Sequence, residues 1–498
     1  MKILYVANGF PPVDLGGVEN YTLELSRELR AMGHDVAVFC REPGDGRPIY
    51  SVRDDVSDGI PVRFVNNRFD PAAPFGRRYL DRRIEGLFGR WVEEQRADVI
   101  HFQHTNGLSA SLLARAARMG VPFAVTVWDY WYMCPQVNLL RPDYSLCVGS
   151  HTDVNCYECL YGTRFPPRGR HVPDLNGSEP VPTECPEPID HRPLGLGDEV
   201  YYPLQRALPW SVRRALLRTY DFARLKLGRG ARTALASIFP PDLAPLRVRA
   251  RYMQETLSLC QHIVAPLPFV RDRYATFGIP AEQIHVIPPG MDLSLWTGFQ
   301  PAPRPRGDTL RFGYIGSLLR HKGVDLIVRA FQKVQAPNAE LWLHGFELPG
   351  GSFTRLLHNL ADGDRHVHFA GPYTKPELPG ILNQLDVLLI PAVWHETFSF
   401  VTREAVLAGL PVIASRMGGI PAAIEDGVNG LLLPPADVDA WVRAMQRVVE
   451  DRELVAAFHR AQLSRQVKPM DQHAAELVQL YVRMQRERQH ETYGDEGA

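Results

Sequence analysis

The chain alternates short apolar segments with longer amphipathic ones, and it does so in two separate runs. In the first run, strand patterns at 3–7, 36–40, 99–102 and 123–127 alternate with helix patterns at 19–31, 78–94 and 108–119. A second run of the same kind extends from Leu310 to about Val449. Because strands separated by helices pair in parallel, we expect an α/β protein with two doubly wound parallel sheets.

The length of the chain agrees with two domains, since 498 residues exceed what a single core usually holds. A proline-rich stretch, PAPRPRGD at 301–308, follows the first run. We therefore expect an N-terminal domain over 1–300, with an insertion at about 134–250, and a C-terminal domain over 301–471.

Charge and composition exclude several classes of function. The formal net charge is −1, so no overall field attracts nucleic acid. No apolar run is long enough to span a bilayer, and the opening MKILYVANGF has the pattern of a first strand and not of a signal peptide. With no export signal, the seven cysteines are expected to stay reduced, which favours the cytoplasm.

Two glutamates mark the clearest functional motif, HETFSFVTREAVLAGLPVIAS at 395–415. An apolar strand pattern at 385–390 leads into Glu396, and a helix is expected from 399 to 408. The backbone N–H groups of 397–400 then point toward an anion at the helix start. Glu404, inside the helix, can accept hydrogen bonds from vicinal hydroxyls such as those of a ribose, while Glu396 remains free to meet a sugar ring.

A second motif, FGYIGSLLRHKGVDLIVRAF at 312–331, carries a lysine at another strand-to-helix turn. The strand pattern ends at Gly316, and Lys322 precedes the next helix pattern. A cation at a helix start is unfavourable unless an anion is bound there, because the helix dipole is positive at that end. The motif therefore indicates a second contact with a bound anion.

The N-terminal half contributes a glycine-rich loop and several polar residues at strand ends. Gly16 and Gly17 follow the first strand after a loop, and Glu19 comes next. The spacing differs from the dinucleotide fingerprint, which argues against a nicotinamide dehydrogenase. His104 and the pair Trp128-Asp129 follow two later strands, so they are expected to line the same cleft.

Together these motifs resemble the family-4 retaining glycosyltransferases, which have the GT-B fold. The resemblance rests on Glu396, the segment 397–399, Glu404, the Gly409–Val412 turn, Gly418-Gly419 and the Gly316 to Lys322-Gly323 motif. It implies two Rossmann-like domains facing a central cleft, with a last helix at about 472–490 that crosses back onto the first domain. It covers most of the chain except about 160–250.

The resemblance also implies roles for individual residues. The nucleotide-sugar donor would be bound by Gly17, Gly316, Ser317, Lys322, Glu396, Thr397, Phe398, Ser399, Phe400 and Glu404. The acceptor would be bound by Gly16, Gly17, Glu19, His104, Trp128 and Asp129. Catalysis would rest on Lys322, Arg320 and Glu396, with no catalytic metal required. Two positions depart from the family: Ser317 stands where a basic residue is usual, and Trp128 where a histidine is common.

The implied function is transfer of a hexose, with retention, from a nucleotide diphosphate sugar to a hydroxyl of a glycan or lipid-linked acceptor. Such a reaction belongs to cell-surface polysaccharide or glycoconjugate biosynthesis. Two alternatives remain open. One is a catalytically idle scaffold that binds sugar nucleotide for a partner enzyme, motivated by Ser317 and Trp128, and the other is a sugar-nucleotide epimerase of the same fold.

Two further segments allow more than one interpretation. Cys134, Cys147, Cys156 and Cys159 have a spacing compatible with a structural zinc site, and buried free thiols are the alternative. The basic amphipathic pattern at 204–232 suits peripheral contact with the inner face of the membrane, or a solvated helix packed on its domain.

Overall fold

The computed structural model describes residues 1–42, 44, 46–67, 75–147, 156, 159–160, 243–348 and 350–494. The prediction for the basic segment 204–232 lies outside these residues. Within the described part of the chain, no helix has the length and apolarity needed to cross a membrane.

The first sheet has eight strands in the described residues, and its core lies between the sheet and helices on both faces. The strands are β1 Lys2–Ala7, β2 Asp35–Glu42, β3 Val52–Ser57, β4 Ile60–Asn66, β5 Val99–Phe102, β6 Phe123–Thr126, β7 His262–Ala265 and β8 Ile284–Val286. Their order is β3-β4-β2-β1-β5-β6-β7-β8.

One strand of this sheet departs from the expected parallel arrangement. β3 pairs antiparallel with β4, whereas the other neighbours pair in parallel. The sheet is therefore mixed, and sequence analysis missed this hairpin. The sequence of β3, VRDDVS, is charged and mostly exposed because it forms the edge of the sheet, where apolar alternation is not required.

The helices of this domain follow the predicted alternation, with shifts at their ends. They are α1 Gly17–Ala31, α2 Arg82–Gln95, α3 Ser111–Met119, α4 Leu243–Ser258 and α5 Pro268–Thr276. α2 begins four residues later than expected because Asp81 caps it, its carboxylate accepting from the backbone N–H groups of Arg83 and Ile84.

The second sheet is parallel throughout the described strands. These are β9 Leu310–Ile315, β10 Ala339–His344, β11 Val367–Gly371, β12 Val387–Ile390, β13 Val412–Ser415 and β14 Gly430–Leu433, in the order β11-β10-β9-β12-β13-β14. The helices are α6 Val324–Phe331, α7 Ser352–Ala361, α8 Leu378–Gln384, α9 Phe400–Leu407, α10 Val438–Glu450 and α11 Arg452–Leu463.

In each sheet the strand order reverses beside the first strand of the domain, between β1 and β5 and between β9 and β12. Loops that leave neighbouring strands on opposite faces open a crevice at such a point, and ligands of doubly wound folds bind there. The two crevices are formed by the loops after β1 and β5 and by the loops after β9 and β12. These loops carry the motifs singled out above.

The last helix, α12 Met470–Gly494, packs on the first domain. The hydroxyl oxygen of Tyr481 lies 3.1 Å from that of Tyr5 and 2.6 Å from Nδ1 of His101. The two chain crossings between the domains run side by side. The N–H of Met291 donates to the carbonyl of Lys468 at 2.9 Å, and the N–H of Met470 donates to the carbonyl of Met291 at 3.0 Å.

Replacing Tyr481 with alanine is expected to lower the free energy of unfolding by about 3 to 5 kcal/mol, because the ring is fully buried and the change leaves a cavity. Tyr481→Phe keeps the ring and removes only the hydroxyl, so its cost should be about 1 to 2 kcal/mol. Urea unfolding followed by circular dichroism measures both values. An alanine variant as stable as the original protein would show that α12 does not stabilise the first domain.

Candidate active site

The loop after β12 is held in place by glycines that approach it closely. The N–H of Gly419 donates to the carbonyl of Glu396 at 2.6 Å. Gly418 has φ of +54°, and a Cβ atom there would lie 2.2 Å from the same carbonyl oxygen. Only glycine fits so close to another backbone, which explains the glycine pair that follows β13 in the sequence.

A buried arginine stabilises the same loop through hydrogen bonds to its backbone carbonyls. The guanidinium of Arg403 donates to the carbonyls of Phe398, of Ser399 at 3.4 Å and of Gly419 at 3.2 Å. Its carbon atom lies 4.1 Å from the centre of the Phe398 ring. Burial lowers the pKa of Arg403 to about 10, so the side chain stays charged at neutral pH. Sequence analysis missed Arg403, since an arginine inside a helix pattern gives no signal of burial.

The residues at the start of α9 leave their backbone donors free. Ser399 precedes the helix with φ of +64°, an uncommon left-handed conformation for a residue with a side chain. Within the described part of the chain, the N–H groups of residues 397–400 donate to no protein acceptor. Backbone donors in this arrangement can bind an anion.

Lys322 meets Glu396 at this loop. Its Nζ lies 2.6 Å from Oε1 of Glu396, which also accepts from the indole N–H of Trp394 at 2.8 Å. The lysine Nζ is 5.1 Å from the centre of the Trp394 ring. Gly323 brings the two loops together, because a Cβ atom there would lie 2.0 Å from the carbonyl oxygen of Pro391. The structure therefore brings a cation and a carboxylate to one point of the crevice.

Glu404 is buried on α9 and is also paired with a lysine. Nζ of Lys375 lies 2.7 Å from Oε1 of Glu404 and 3.6 Å from Oε1 of Glu24, a residue of α1 in the first domain. Sequence analysis missed both Lys375 and Glu24. Lys375 follows the carboxyl end of β11, a position that the strand-end argument points to, whereas nothing in the local sequence distinguishes Glu24.

The other predicted residues of this half contact other groups in the described structure. The guanidinium carbon of Arg320 lies 5.2 Å from the Tyr144 ring and 5.5 Å from the Phe353 ring. The carbonyl of Ser317 accepts from the hydroxyl of Tyr314 at 2.8 Å. The backbone carbonyl of Gly316 packs closely against Gly345. A Cβ atom at Gly345 would lie 1.7 Å from this carbonyl oxygen.

The glycine-rich loop of the first domain faces the helix start of the second. A Cβ atom at Gly17 would lie 3.5 Å from the Phe400 ring. The space beside Gly16 is filled by Glu19, whose carboxylate oxygen would lie 2.2 Å from a Cβ atom there. Burial raises the pKa of Glu19, and the nearby Asp14 raises it further. A Cβ atom would therefore meet the Glu19 carboxylate at Gly16 and make only ordinary van der Waals contact at Gly17.

The polar residues at the ends of β5 and β6 divide into two groups. Nε2 of His104 lies 2.6 Å from Oδ2 of Asp129. Burial lowers the pKa of His104, but the carboxylates of Asp129 and Glu19 outweigh it, so the net shift is upward. His101, by contrast, is fully buried between Tyr481 and Thr126 and is structural.

The side chain of Trp128 packs between neighbouring aromatic rings and hydrogen-bonds to a neighbouring side chain. Its indole N–H donates to Oε1 of Gln103 at 2.8 Å, and its ring lies 4.7 Å from the Tyr21 ring and 5.8 Å from the Phe400 ring. The backbone carbonyl of Trp128 accepts from the hydroxyl of Thr397 at 2.6 Å, across the two domains. The side chain therefore lacks the free donor and acceptor that an imidazole would provide at this position.

The four clustered cysteines differ in burial. Cys134 is buried, while Cys147, Cys156 and Cys159 are half-buried. The side-chain N–H of Gln136 donates to Sγ of Cys159 at 3.3 Å, and burial raises the pKa of that thiol to about 12. Among the described His, Cys, Asp and Glu side chains, no three are arranged to hold a metal ion. The zinc site therefore stays a prediction.

Arg403→Lys is expected to lower the free energy of unfolding by about 2 to 3 kcal/mol, because one ammonium cannot reach three separate carbonyls. Arg416→Lys, an exposed arginine of the same domain bonded to Asp426, is the matched control and should change stability by less than about 0.5 kcal/mol. Chemical denaturation measures both. Equal stability of the two variants would contradict the proposed support of the loop.

Metal content decides between zinc and free cysteines. If the thiols bind zinc, protein purified without chelators should contain about one zinc per chain, measured by plasma mass spectrometry, and Cys134→Ser or Cys159→Ser should lose it. Cys260→Ser, a buried cysteine that hydrogen-bonds to backbone carbonyls, is the control and should keep it. Metal-free protein in which Ellman's reagent titrates all the thiols after denaturation would support free cysteines.

Comparison with known proteins agrees with this arrangement. Residues 309–451 match the family model described as glycosyl transferases group 1, residues 16–149 match a glycosyl transferase 4-like domain, and residues 206–295 match glycosyltransferase family 4. Together these regions cover most of the chain.

Two relatives illustrate the range of similarity. The D-inositol 3-phosphate glycosyltransferase of Corynebacterium jeikeium is 32% identical over 191 residues, which is 35% of this chain and 45% of the relative. The chain therefore spans less than half the length of that relative. The glycogen synthase of Mycobacterium tuberculosis is 25% identical over 472 residues, covering 94% of this chain and 90% of the relative.

Solved structures show the same fold. Sucrose-phosphate synthase from Thermosynechococcus elongatus superimposes with a TM-score of 0.61 at 18% identity, covering 97% of this chain and 98% of the other. Anabaena HepE, solved with UDP and glucose, gives 0.58 at 16% identity, covering 96% and 99%. From these family matches and the shared two-domain fold, we conclude that the chain belongs to the family-4, group 1 glycosyltransferases of the GT-B fold.

Proposed function

We propose that this protein is a retaining glycosyltransferase that moves a hexose from a nucleotide diphosphate sugar to a hydroxyl of a glycan or lipid-linked acceptor. The observation that supports this most is the meeting of Lys322, Glu396 and the free N–H groups of 397–400 at one crevice, with the glycine-rich loop opposite. A cation, a carboxylate and backbone donors are what a diphosphate joined to a sugar needs from a binding site.

The donor fits this site in a definite orientation. The diphosphate lies on the N–H groups of 397–400 and takes Lys322 as its counter-ion, which leaves Glu396 to accept hydroxyl hydrogen bonds from the hexose. Glu404, further along α9, accepts from the ribose. Arg320 reaches the diphosphate only by leaving the rings of Tyr144 and Phe353. Solved structures of the same fold hold UDP-glucose or ADP, which supports a nucleotide-sugar donor.

The reaction proceeds on one face of the sugar. A bond forms between the acceptor oxygen and C1 of the hexose as the bond between C1 and the phosphate oxygen breaks. The proton of the acceptor hydroxyl passes to the departing phosphate oxygen, so no enzymic nucleophile is needed and the configuration is retained. Lys322 and the amides of 397–400 stabilise the charge that develops on the diphosphate, so the reaction requires no catalytic metal.

The acceptor binds on the first domain, beside Gly16, Gly17, Glu19, His104 and Asp129. The ion pair of His104 with Asp129 fixes the imidazole in one orientation. Trp128 contributes an apolar wall, since its indole N–H is already bonded to Gln103. We place the enzyme in the cytoplasm, in contact with the inner face of the membrane, where it serves cell-surface polysaccharide or glycoconjugate biosynthesis.

The strongest competing function is an idle scaffold that binds sugar nucleotide without transferring it. The packing of Trp128 favours this alternative, because the position often occupied by a histidine in relatives offers no free polar atom here. Donor hydrolysis or transfer distinguishes the two functions, since a scaffold binds the donor without turnover.

Lys322→Ala should lower the rate of transfer or of donor hydrolysis by about 100- to 1000-fold, because it removes a charge that stabilises the leaving group. Glu404→Ala should weaken donor binding by about 10- to 100-fold. Thermal unfolding with UDP-, GDP-, ADP- and dTDP-sugars identifies the donor, because a ligand of the native state raises its melting temperature.

Glu450→Gln, an exposed glutamate on α10, is the control for these variants and should bind and react as the original protein does. Full activity in folded Lys322→Ala and Glu404→Ala would overturn the assigned site. Donor binding with no turnover in the unaltered protein would favour the scaffold.

A further inference from the structure

Three charged side chains meet across the cleft between the domains. Lys375, which follows β11, lies 2.7 Å from Glu404 on α9 and 3.6 Å from Glu24 on α1. The exposed fractions of the three side chains are 28%, 7% and 10%, respectively, so solvent screens them little. Two carboxylates therefore share one ammonium group, and Glu404 is the nearer partner.

This arrangement leaves Glu24 poorly compensated. Burial raises the pKa of Glu24 to about 7, Lys375 opposes the rise, and Asp292 and Glu404 add to it. From α12, which packs on α1, His473 bonds to Tyr21 and is uncharged, because burial lowers its pKa to about 3. Glu24 therefore titrates near neutral pH, well above the ordinary range of a carboxyl group.

Under the proposed function, the ribose of the donor competes with Lys375 for the carboxylate of Glu404. A ribose with two vicinal hydroxyls would donate to both oxygens of this carboxylate, and Lys375 already occupies one of them. Lysine is a compact charge on a flexible stem, so it can change partner at little steric cost. The carboxylate already beside it is that of Glu24.

We propose that donor binding transfers Lys375 from Glu404 to Glu24, so that the ribose converts an ion pair within the second domain into an ion pair between the domains. This inference rests on the proposed function, since it assumes that Glu404 receives the ribose. Lys375 and Glu24 are then positioning residues of the donor site.

The exchange connects the donor site to the acceptor side. α1 begins at Gly17, in the loop that faces Phe400, and Glu24 lies two turns further along the same helix. An ion pair between Lys375 and Glu24 therefore ties the helix that carries the glycine-rich loop to an occupied donor site. The acceptor side is fixed most firmly when the donor is present.

The exchange also has a pH dependence of definite sign. A full pairing with Lys375 lowers the pKa of Glu24 from its raised value, so the bound protein holds fewer protons than the free protein near pH 7. Donor binding therefore releases protons. Affinity rises with pH through neutrality and levels off above about pH 8, where Glu24 is ionised in both states.

Calorimetry of donor binding tests this directly. UDP-, GDP- and ADP-glucose, whose riboses carry both hydroxyls, are titrated in turn at pH 6, 7 and 8, each in two buffers that differ in ionisation enthalpy, which gives the number of protons released. The diphosphate of these probes has no group that titrates near neutrality, so the protons come from the protein. We expect release of a fraction of one proton at pH 7 and little at pH 8.

Glu24→Gln should abolish the release and flatten the dependence of affinity on pH. Glu28→Gln, which makes the same change of charge one turn further along α1, is the matched control and should leave both unchanged. If Glu24→Gln does not fold, Lys375→Gln provides the second variant, since removing the cation that moves should also abolish the release.

The outcomes separate the exchange from the function on which it rests. Donor binding without proton release in the unaltered protein would overturn the exchange and leave the proposed function standing. Release that persists in Glu24→Gln would overturn it in the same way. If none of the three probes binds, both proposals fall.

Discussion

Parallel strands all end at the same edge of a sheet, and this constraint determines where the candidate active site lies. In both sheets the strand order reverses beside the first strand, which opens a crevice at the carboxyl ends. The hydrogen bond from Thr397 to the carbonyl of Trp128 joins the two edges across one cleft. Residues far apart in sequence, such as Gly17 and Phe400, meet there because of the topology.

Two carboxylates of the cleft have cationic partners before any ligand enters. Glu396 pairs with Lys322 and Glu404 with Lys375, whereas Glu24 has only a more distant share of Lys375. A ligand with a diphosphate and hydroxyls can substitute for these partners one by one, since it brings both anionic and hydrogen-bonding groups. The fixed loop above Arg403 provides backbone donors that need no rearrangement.

Sequence analysis predicts what depends on local pattern and misses what depends on distant contacts. It places β5 at 99–102 as observed, and it selects Lys322 and Glu396, which meet although 74 residues separate them. It finds them because each follows a recognisable strand. Arg403, Lys375 and Glu24 were missed because their roles come from burial and from partners elsewhere in the chain. The charged edge strand β3 was missed because an edge needs no apolar alternation.

The return of α12 to the first domain has a consequence for biosynthesis. Tyr481 completes the core around Tyr5 and His101, yet it is translated after the whole second domain. Domains usually fold as units in the order of their synthesis, but here the first one lacks a helix until α12 has been synthesised and released. Until then the apolar face that receives α12 is exposed to solvent.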